Sequence, residues 1–552
     1  MKRTALFLLS LLLLLTSCKT NVTDTRSPNE FYLEAFPEIG EFTGKASTDM
    51  FDENSGYDFI PSDEYGEIIP YIGTYRLYET PPEEGSDWHA EVGYCSYGFC
   101  TPKGKIVMPA SDKNSYLNYR NTDDGFGFYT LTREIQPVAD APDEFIPGET
   151  YIIPRDGSWC LKLSEGSWVT SSGNGYINIC DYPTDGGTVK LLMYDYNGNL
   201  VHTFEGVDSM GMYSNGLMLI SEWTDNGYSA EFVNKDGERV LGPFSAASDF
   251  NEHGITAVQD ENGFYLIDIN GEHLTDYYES IFKEFSDEND KRMIFSAKHM
   301  DNHKVHDVFD EKGDFIATVD ANTYFSVRFP DNGEIYYFYT KYDENDKGYP
   351  VYNTEKMVWK RVSDGTDFVS KEFGVSPNSY AGSDNCYVHI DKENGVGYFF
   401  DCNGETIAVI DGVTDVMNVT DNGEYIIYQT GTYDYGYDEL TGENKVTDTR
   451  KIFIYDSEKK KNIFSLDSGG SGYFPDKNKR YIIISVYDET DFFGGTTNYW
   501  LYDTKNDKML FENCKQISFY DMGDRCYFNV CTENSSAVYD DNMKLIRKSY
   551  FD

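Results

Sequence analysis

A chain of 552 residues is too long for one ordinary compact core of about 50 to 250 residues, so it holds several domains or one array of repeats. Hydrophobic content of 40%, with 46 Tyr and 36 Phe, excludes disorder over most of the chain and favours strands over helices. A balance of 46 basic against 94 acidic residues, formally −48, argues against nucleic acid and anionic lipid as partners, because such a surface repels both.

In chain order the first element is a leader. Lys2 and Arg3 precede an apolar run from Ala5 to Leu15, broken only by Ser10, and Leu15-Thr16-Ser17-Cys18 follows. The run is shorter than the roughly 20 residues of a spanning helix and suits a signal peptide over residues 1–17. The four residues that close it resemble the lipobox of bacterial lipoproteins. That resemblance implies cleavage before Cys18, a diacylglyceryl group on its sulfur and an acyl chain such as palmitate on its freed amine. Two or three chains make a stable anchor, where one alone binds marginally. No later stretch is apolar for long enough to span a bilayer. The expected location is therefore the bacterial cell membrane, lipid-anchored, with the body facing outside the cytoplasm. Loss of the leader leaves 44 basic against 94 acidic residues, formally −50.

Residues 18–66 are rich in Thr, Asp, Glu, Pro and Gly and read as a flexible tether. Beyond them a unit recurs. Its clearest copy, Phe250 to Leu274, reads as a strand, a turn, a second strand, a tight turn at Asp268-Ile269-Asn270-Gly271 and the start of a third strand. Equivalent turns end at Gly104, Gly157, Gly198, Gly237, Gly313 and Gly404, and degenerate copies without the Gly start at Tyr352-Asn353, Tyr455-Asp456, Tyr502-Asp503 and Tyr539-Asp540. Asp or Asn at the first turn position accepts backbone hydrogen bonds, and Gly at the fourth supplies the left-handed conformation of a type I turn with a bulge.

Eleven turns at a mean spacing of about 44 residues match the period of a propeller blade, about 40 to 50 residues. Helical periodicity is nearly absent, so the fold class is all-β, a propeller-like array of about eleven units. Single propellers normally hold about four to eight blades. Eleven units imply two tandem rings, an open array, or some units shorter than a blade.

The Phe-x-x-x-Gly-(apolar)-x-Ala-Val start of Phe250–Leu274, followed by Asn-Gly-Phe-Tyr-Leu-Ile-Asp-x-Asn-Gly, resembles the WG repeat of bacterial exported proteins. Tyr97 to Val107 is a second copy. The signature Trp is replaced by Tyr97-Gly98 or by Gly-Phe and Gly-Tyr pairs. Residues 67–365 form this WG-like region. Residues 366–552 form a C-terminal propeller-like β region of different flavour, in which Thr420–Tyr428 and Phe474–Ser485 resemble blades of TolB-type propellers. The polar insertion Thr430–Arg450 reads as a long loop, a candidate for partner contact.

Residues that could carry chemistry are few. Three of eight His fall in His299-Met-Asp-Asn-His303-Lys-Val-His306. A turn over Asp301–Lys304 would set His299 directly opposite His306, where the pair could share zinc with Asp301 or His303. The bland account is an exposed hairpin tip. Acidic turns of one or two carboxylates fall short of a calcium loop. No Gly-x-Ser-x-Gly elbow or phosphate-cradling Gly loop occurs, and Ser468–Gly472 reads as a turn. Nine Cys besides Cys18 form an odd, dispersed set, better read as small buried apolar residues than as a disulfide framework. Six scattered Trp define no sugar platform.

The expected function is a membrane-anchored binding or scaffolding surface for a protein or glycan, with no catalytic, cofactor or metal residues. The alternative is a glycan-active enzyme with a carboxylate site in a propeller channel. Any specificity should lie where copies diverge.

Overall fold

The computed structural model describes residues 67–551 apart from the segments 80–90, 112–113, 123, 134–148, 164–166, 182–188, 225–226, 286–291, 322–324, 345–349, 439–442, 477–478, 488–496 and 523–524. Cys18, the leader, the tether and Trp88 lie outside the described residues. Every regular element described is a strand.

The strands form eleven antiparallel sheets of three or four strands, plus one two-stranded hairpin. Blade 3 shows the pattern: Trp168–Gly173, Tyr176–Asp181, Lys190–Asp195 and Leu200–Glu205, here lettered A to D, pair in chain order. B strands such as Tyr176–Asp181 and Cys526–Cys531 are almost wholly buried, whereas D strands such as Leu200–Glu205 and Lys461–Leu466 are mostly open to solvent. D is therefore the rim and A the inner edge. In blade 5 the expected third strand of Phe250–Leu274 shrinks to a single bridge, Ile267 to His273.

The units form one ring rather than two. A blade exposes two apolar faces, so each needs a neighbour on both sides, and successive blades share a core cluster. Phe128, Ile152 and Trp159 of blade 2 meet Val169, Ile177 and Ile179 of blade 3. Ile294 and Val308 of blade 6 meet Val327 and Tyr337 of blade 7. Across the 365/366 boundary, Phe338 and Trp359 of blade 7 pack with Tyr387 and Phe400 of blade 8. The ring closes where blade 11 (Gln516–Asp521, Cys526–Cys531, Ser535–Asp540, Leu545–Tyr550) meets blade 1 (Ile69–Glu79, Glu91–Cys100, Ile106–Ser111). One cluster there joins Ile69, Tyr71 and Phe99 to Tyr520, Tyr527 and Val538. Ser536 Oγ donates to the Ile72 carbonyl, and Arg547 Nη1 to that of Gly104 at 3.2 Å. Closure uses side-chain packing, because blade 11 takes all four of its strands from the C-terminal end of the chain.

The recurrent turn joins strands C and D in every copy that ends in Gly. Asp268 Oδ1 accepts the Asn270 N–H at 2.9 Å and the Glu272 N–H at 2.8 Å, and Gly271 sits at φ +82°. Asp195, Asp310 and Asp401 repeat the geometry. In the degenerate copies Lys460, Asp507 and Met543 adopt the left-handed conformation instead. One reading is corrected. Tyr352-Asn353 is no turn but lies inside the strand Pro350–Arg361. The C–D turn of blade 7 falls later, where Asp364 Oδ1 takes the Thr366 N–H at 3.0 Å and Gly365 has φ +67°, a turn acid followed directly by Gly that the stretch after Asn353 does not offer.

The nine described Cys are all buried and free. Burial pushes the thiols of Cys95, Cys100 and Cys526 up to about 12. They behave as apolar filling.

Antiparallel pairing gives the ring two unlike sides. The A–B and C–D turns share one, the turn face; the B–C turns and D–A links share the other, the hairpin face.

Candidate functional site

The hairpin face departs most from the repeat between blades 8 and 9. In blade 8 the stretch that should form strand A carries Gly374, Pro377 and Gly382 and makes no ladder. Asn378 stands in for it: its N–H donates to the Val388 carbonyl at 3.0 Å, while its carboxamide donates to the Ile390 carbonyl and accepts the Ile390 N–H at 2.9 and 2.7 Å. In blade 9, strands B (Tyr425–Thr430) and C (Lys451–Asp456) are separated by the insertion. This is not the expected loop but a second hairpin, Tyr433–Asp438 paired with Glu443–Asp448. Its neck is closed by Thr432 and Thr449, which bond each other through backbone and hydroxyl at 3.0 to 3.2 Å. Gly431, at φ +80°, lies so close to the Thr449 carbonyl that a Cβ would clash.

Between these two irregularities lies a groove of about 740 Å³, lined by Asn378, Tyr380, Ala381, Ile390, Lys392, Asp415, Val416, Gln429, Thr432, Tyr433 and Arg450 among others. Tyr380 is 59% exposed, yet it is held by the Phe338 ring at 5.7 Å and by Thr340 Oγ1 at 3.2 Å from its hydroxyl. Tyr433 is half-exposed, with the Arg450 guanidinium over its ring at 4.5 Å. Arg450 is fixed in turn by a two-pronged bond to Asp448, Nε–Oδ1 2.9 Å and Nη2–Oδ2 2.8 Å. The groove thus presents two immobilised aromatic rings beside polar groups. Among other exposed aromatics, Tyr116, Trp168 and Trp223 sit at the hairpin-face ends of their strands, and Tyr277 lies in the link from blade 5 to blade 6 on the same face. Trp159 and Trp359 are core residues.

A second cavity, about 540 Å³, opens on the turn face between blades 9, 10 and 11. Its charges largely serve the scaffold. Arg480 grips Asp503 at 3.3 and 3.0 Å, donates to the Asp541 carbonyl at 3.1 Å and stacks on Tyr481 at 4.7 Å. Burial raises the Asp503 carboxyl, but Arg480 and Asn506 outweigh it and hold it below the usual range.

Further buried ionisable groups lie at the inner edges of blades 5 and 6, where Lys283 faces Asp249 and Glu284, next along the strand, points to the opposite face toward Ser296. Burial pushes Glu284 up to about 7 and Lys283 down to about 8, and raises Asp249, whose backbone carbonyl accepts the Lys283 ammonium. The Asp249 Oδ1 atom is buried without a hydrogen bond.

The histidine cluster does not assemble as expected. Strand pairing sets Lys298, not His299, opposite His306, and the His299 N–H donates to the Val305 carbonyl at 3.0 Å. The turn closes one residue tighter because the Asn302 carbonyl takes the Val305 N–H, and a one-residue slip reverses facing. His306 is buried edge-on to Phe325 at 5.1 Å, His299 lies 3.1 Å from Asp307, and His303 contacts Glu279. The sequence reading missed Tyr380 and Lys392, one Tyr among 46 and a Lys outside every repeat motif. The failed strand A, with its Gly and Pro residues, was the available signal.

No protein-family model matches the sequence, and no curated protein matches it. Solved structures of similar shape include the crystal structure of a eukaryotic initiation factor (TM-score 0.37, 8% identity, covering 75% of this chain and 92% of that one). Two others are the β-propeller domain of the Trilobed protease from Pyrococcus furiosus (0.25, 10%, 69% and 98%) and apo AztD from Citrobacter koseri (0.23, 11%, 64% and 94%). At these scores the likeness adds nothing to the fold assignment, which rests on the sheets.

Proposed function

We propose that the chain is a membrane-anchored extracytoplasmic lipoprotein, tethered through Cys18, whose WG-like and TolB-like blades present a binding or scaffolding surface for a protein or glycan on the hairpin face. The observation that carries the reading is the groove between blades 8 and 9, where a departure from the repeat on each side leaves Tyr380 and Tyr433 pinned and open. Rigid loops on a regular scaffold are where binding concentrates. The anchor is tested by Cys18→Ala, which should release the protein from the membrane fraction. The surface is tested by capture from a labelled cell envelope with the intact chain and with residues 432–449 replaced by a two-residue turn. Loss of the captured partner supports the reading; equal capture by both forms removes it.

The glycan-active enzyme remains the second reading, and one observation favours it: Glu284, a buried carboxyl on the inner strand of blade 6, is raised to about 7 and among the described residues accepts only the Ser296 hydroxyl, at 3.4 Å. Release of reducing ends from envelope polysaccharide, abolished by Glu284→Gln, would support it. Activity that survives that change would exclude this site.

A further inference from the structure

We infer that the groove between blades 8 and 9 binds a neutral oligosaccharide, stacking sugar rings on Tyr380 and Tyr433. This rests on the reading of the hairpin face as the binding surface and names its ligand class.

The two rings are the first part of the case. A tyrosine free to rotate loses entropy on stacking, whereas these are already immobilised, Tyr380 by Phe338 and Thr340 and Tyr433 by Arg450. Tyr380 and Tyr433 are 59% and 36% exposed, so surface remains open on both beside these contacts. The apolar C–H face of a pyranose fits such a ring, as amphipathic aromatics favour ligands that are apolar on one side and wet on the other.

Unused hydrogen-bonding groups are the second part. The Gln429 carboxamide and the Thr432 hydroxyl line the groove and make no hydrogen bond among the described residues, and Lys392 makes neither a hydrogen bond nor an ion pair there. Asp415 spends Oδ1 on the Val416 N–H at 2.9 Å and leaves Oδ2 available. Donors and acceptors of both kinds beside apolar Ala381, Ile390 and Val416 match hydroxyl-rich ligands better than an apolar peptide side chain, which a drier pocket would serve.

Charge decides between neutral and acidic sugars. Arg450 is neutralised by Asp448, and the two other charged residues of the lining, Lys392 and Asp415, are of opposite sign though not paired, so the groove and Asp448 together carry no net charge. Around it stands a chain that is formally −48, which repels uronates and other polyanions. The volume of about 740 Å³ lies within the range of about 300 to 1,000 Å³ typical of small-ligand sites.

The experiment is calorimetric titration of the full-length chain with malto-, cello-, xylo- and manno-hexaose, and with oligogalacturonate as the acidic comparator. The expected result is saturable binding of at least one neutral sugar. Tyr380→Ala and Tyr433→Ala should each weaken it about tenfold, about 1.4 kcal/mol, and Gln429→Ala less. Trp223→Ala, on blade 4, should leave it unchanged. Thermal melts coinciding with the parent's establish that the tyrosine variants fold. Preference for oligogalacturonate, or neutral-sugar binding indifferent to both tyrosines, overturns the inference. Should no sugar bind while the turn-for-hairpin variant still loses a captured protein, the carbohydrate assignment falls and the hairpin-face reading stands; should both experiments fail, both fall.

Discussion

The two sides of the ring are made from the same eleven units and differ in what their residues are occupied with. On the turn face the repeated Asp and Asn side chains are consumed locally: Asp195, Asp268, Asp310, Asp401 and Asp540 each accept two backbone N–H groups of their own turn. On the hairpin face the copies diverge, and side chains such as Trp223, Tyr380 and Tyr433 are left in solvent. Residues that recur in every unit answer a need every unit has, which is to turn the chain. Residues that appear once are released from that need.

The contrast can be broken or sharpened by substitution, and the largest effect belongs to the turn face. Arg480→Ala strands the Asp503 carboxylate, only 1% exposed, and should cost about 3–5 kcal/mol in denaturant unfolding. Next, Gly198→Ala puts a side chain at φ +75° with its Cβ 2.9 Å from the Trp159 ring; a loss of about 1–3 kcal/mol is expected by the same measurement. Asp268→Ala removes two backbone hydrogen bonds from one exposed turn and should cost about 1 kcal/mol. If it cost nothing, the repeated acid would need another explanation.

The pH dependence separates the turn acids from the inner strands. Hydrogen bonds, first from the Glu272 N–H, hold Asp268 below the ordinary 3.8, and Asp503 is also depressed. Their contributions are complete above the unfolded value and are lost as pH falls through the folded one. Glu284 has the opposite sign. Burial raises it from 4.5 to about 7, so within that window the folded chain keeps a proton the unfolded chain has released, and stability falls as pH rises. Glu284→Gln should flatten the melting temperature between these two pH values. A slope unchanged by the substitution would assign it to other groups. The smallest effect is expected on the hairpin face: Trp223→Ser, at a residue 72% exposed, should move stability by no more than about 0.5 kcal/mol.

The strand class, the unit length and the chemistry of the C–D turn were legible in the residues, because each depends on contacts within a few positions. Asp268 and Gly271 specify their turn whatever surrounds them. The histidine hairpin shows where such reasoning stops. Its register turned on one carbonyl, that of Asn302, and one residue of slip parted His299 from His306. The groove lay further out of reach, since Tyr380 and Tyr433 belong to different blades and are held by Phe338, Thr340 and Arg450.

By itself, then, the sequence determined that the chain is all-β, built from about eleven hairpin-closing units, and headed by a segment with the pattern of a lipoprotein signal. Only the tertiary structure decided that the units close into a single ring and that Tyr380, Gln429 and Tyr433 share one groove. The physical reason is that local hydrogen bonding writes a turn into consecutive residues, whereas ring closure and site formation depend on packing between surfaces that sequence spacing leaves far apart.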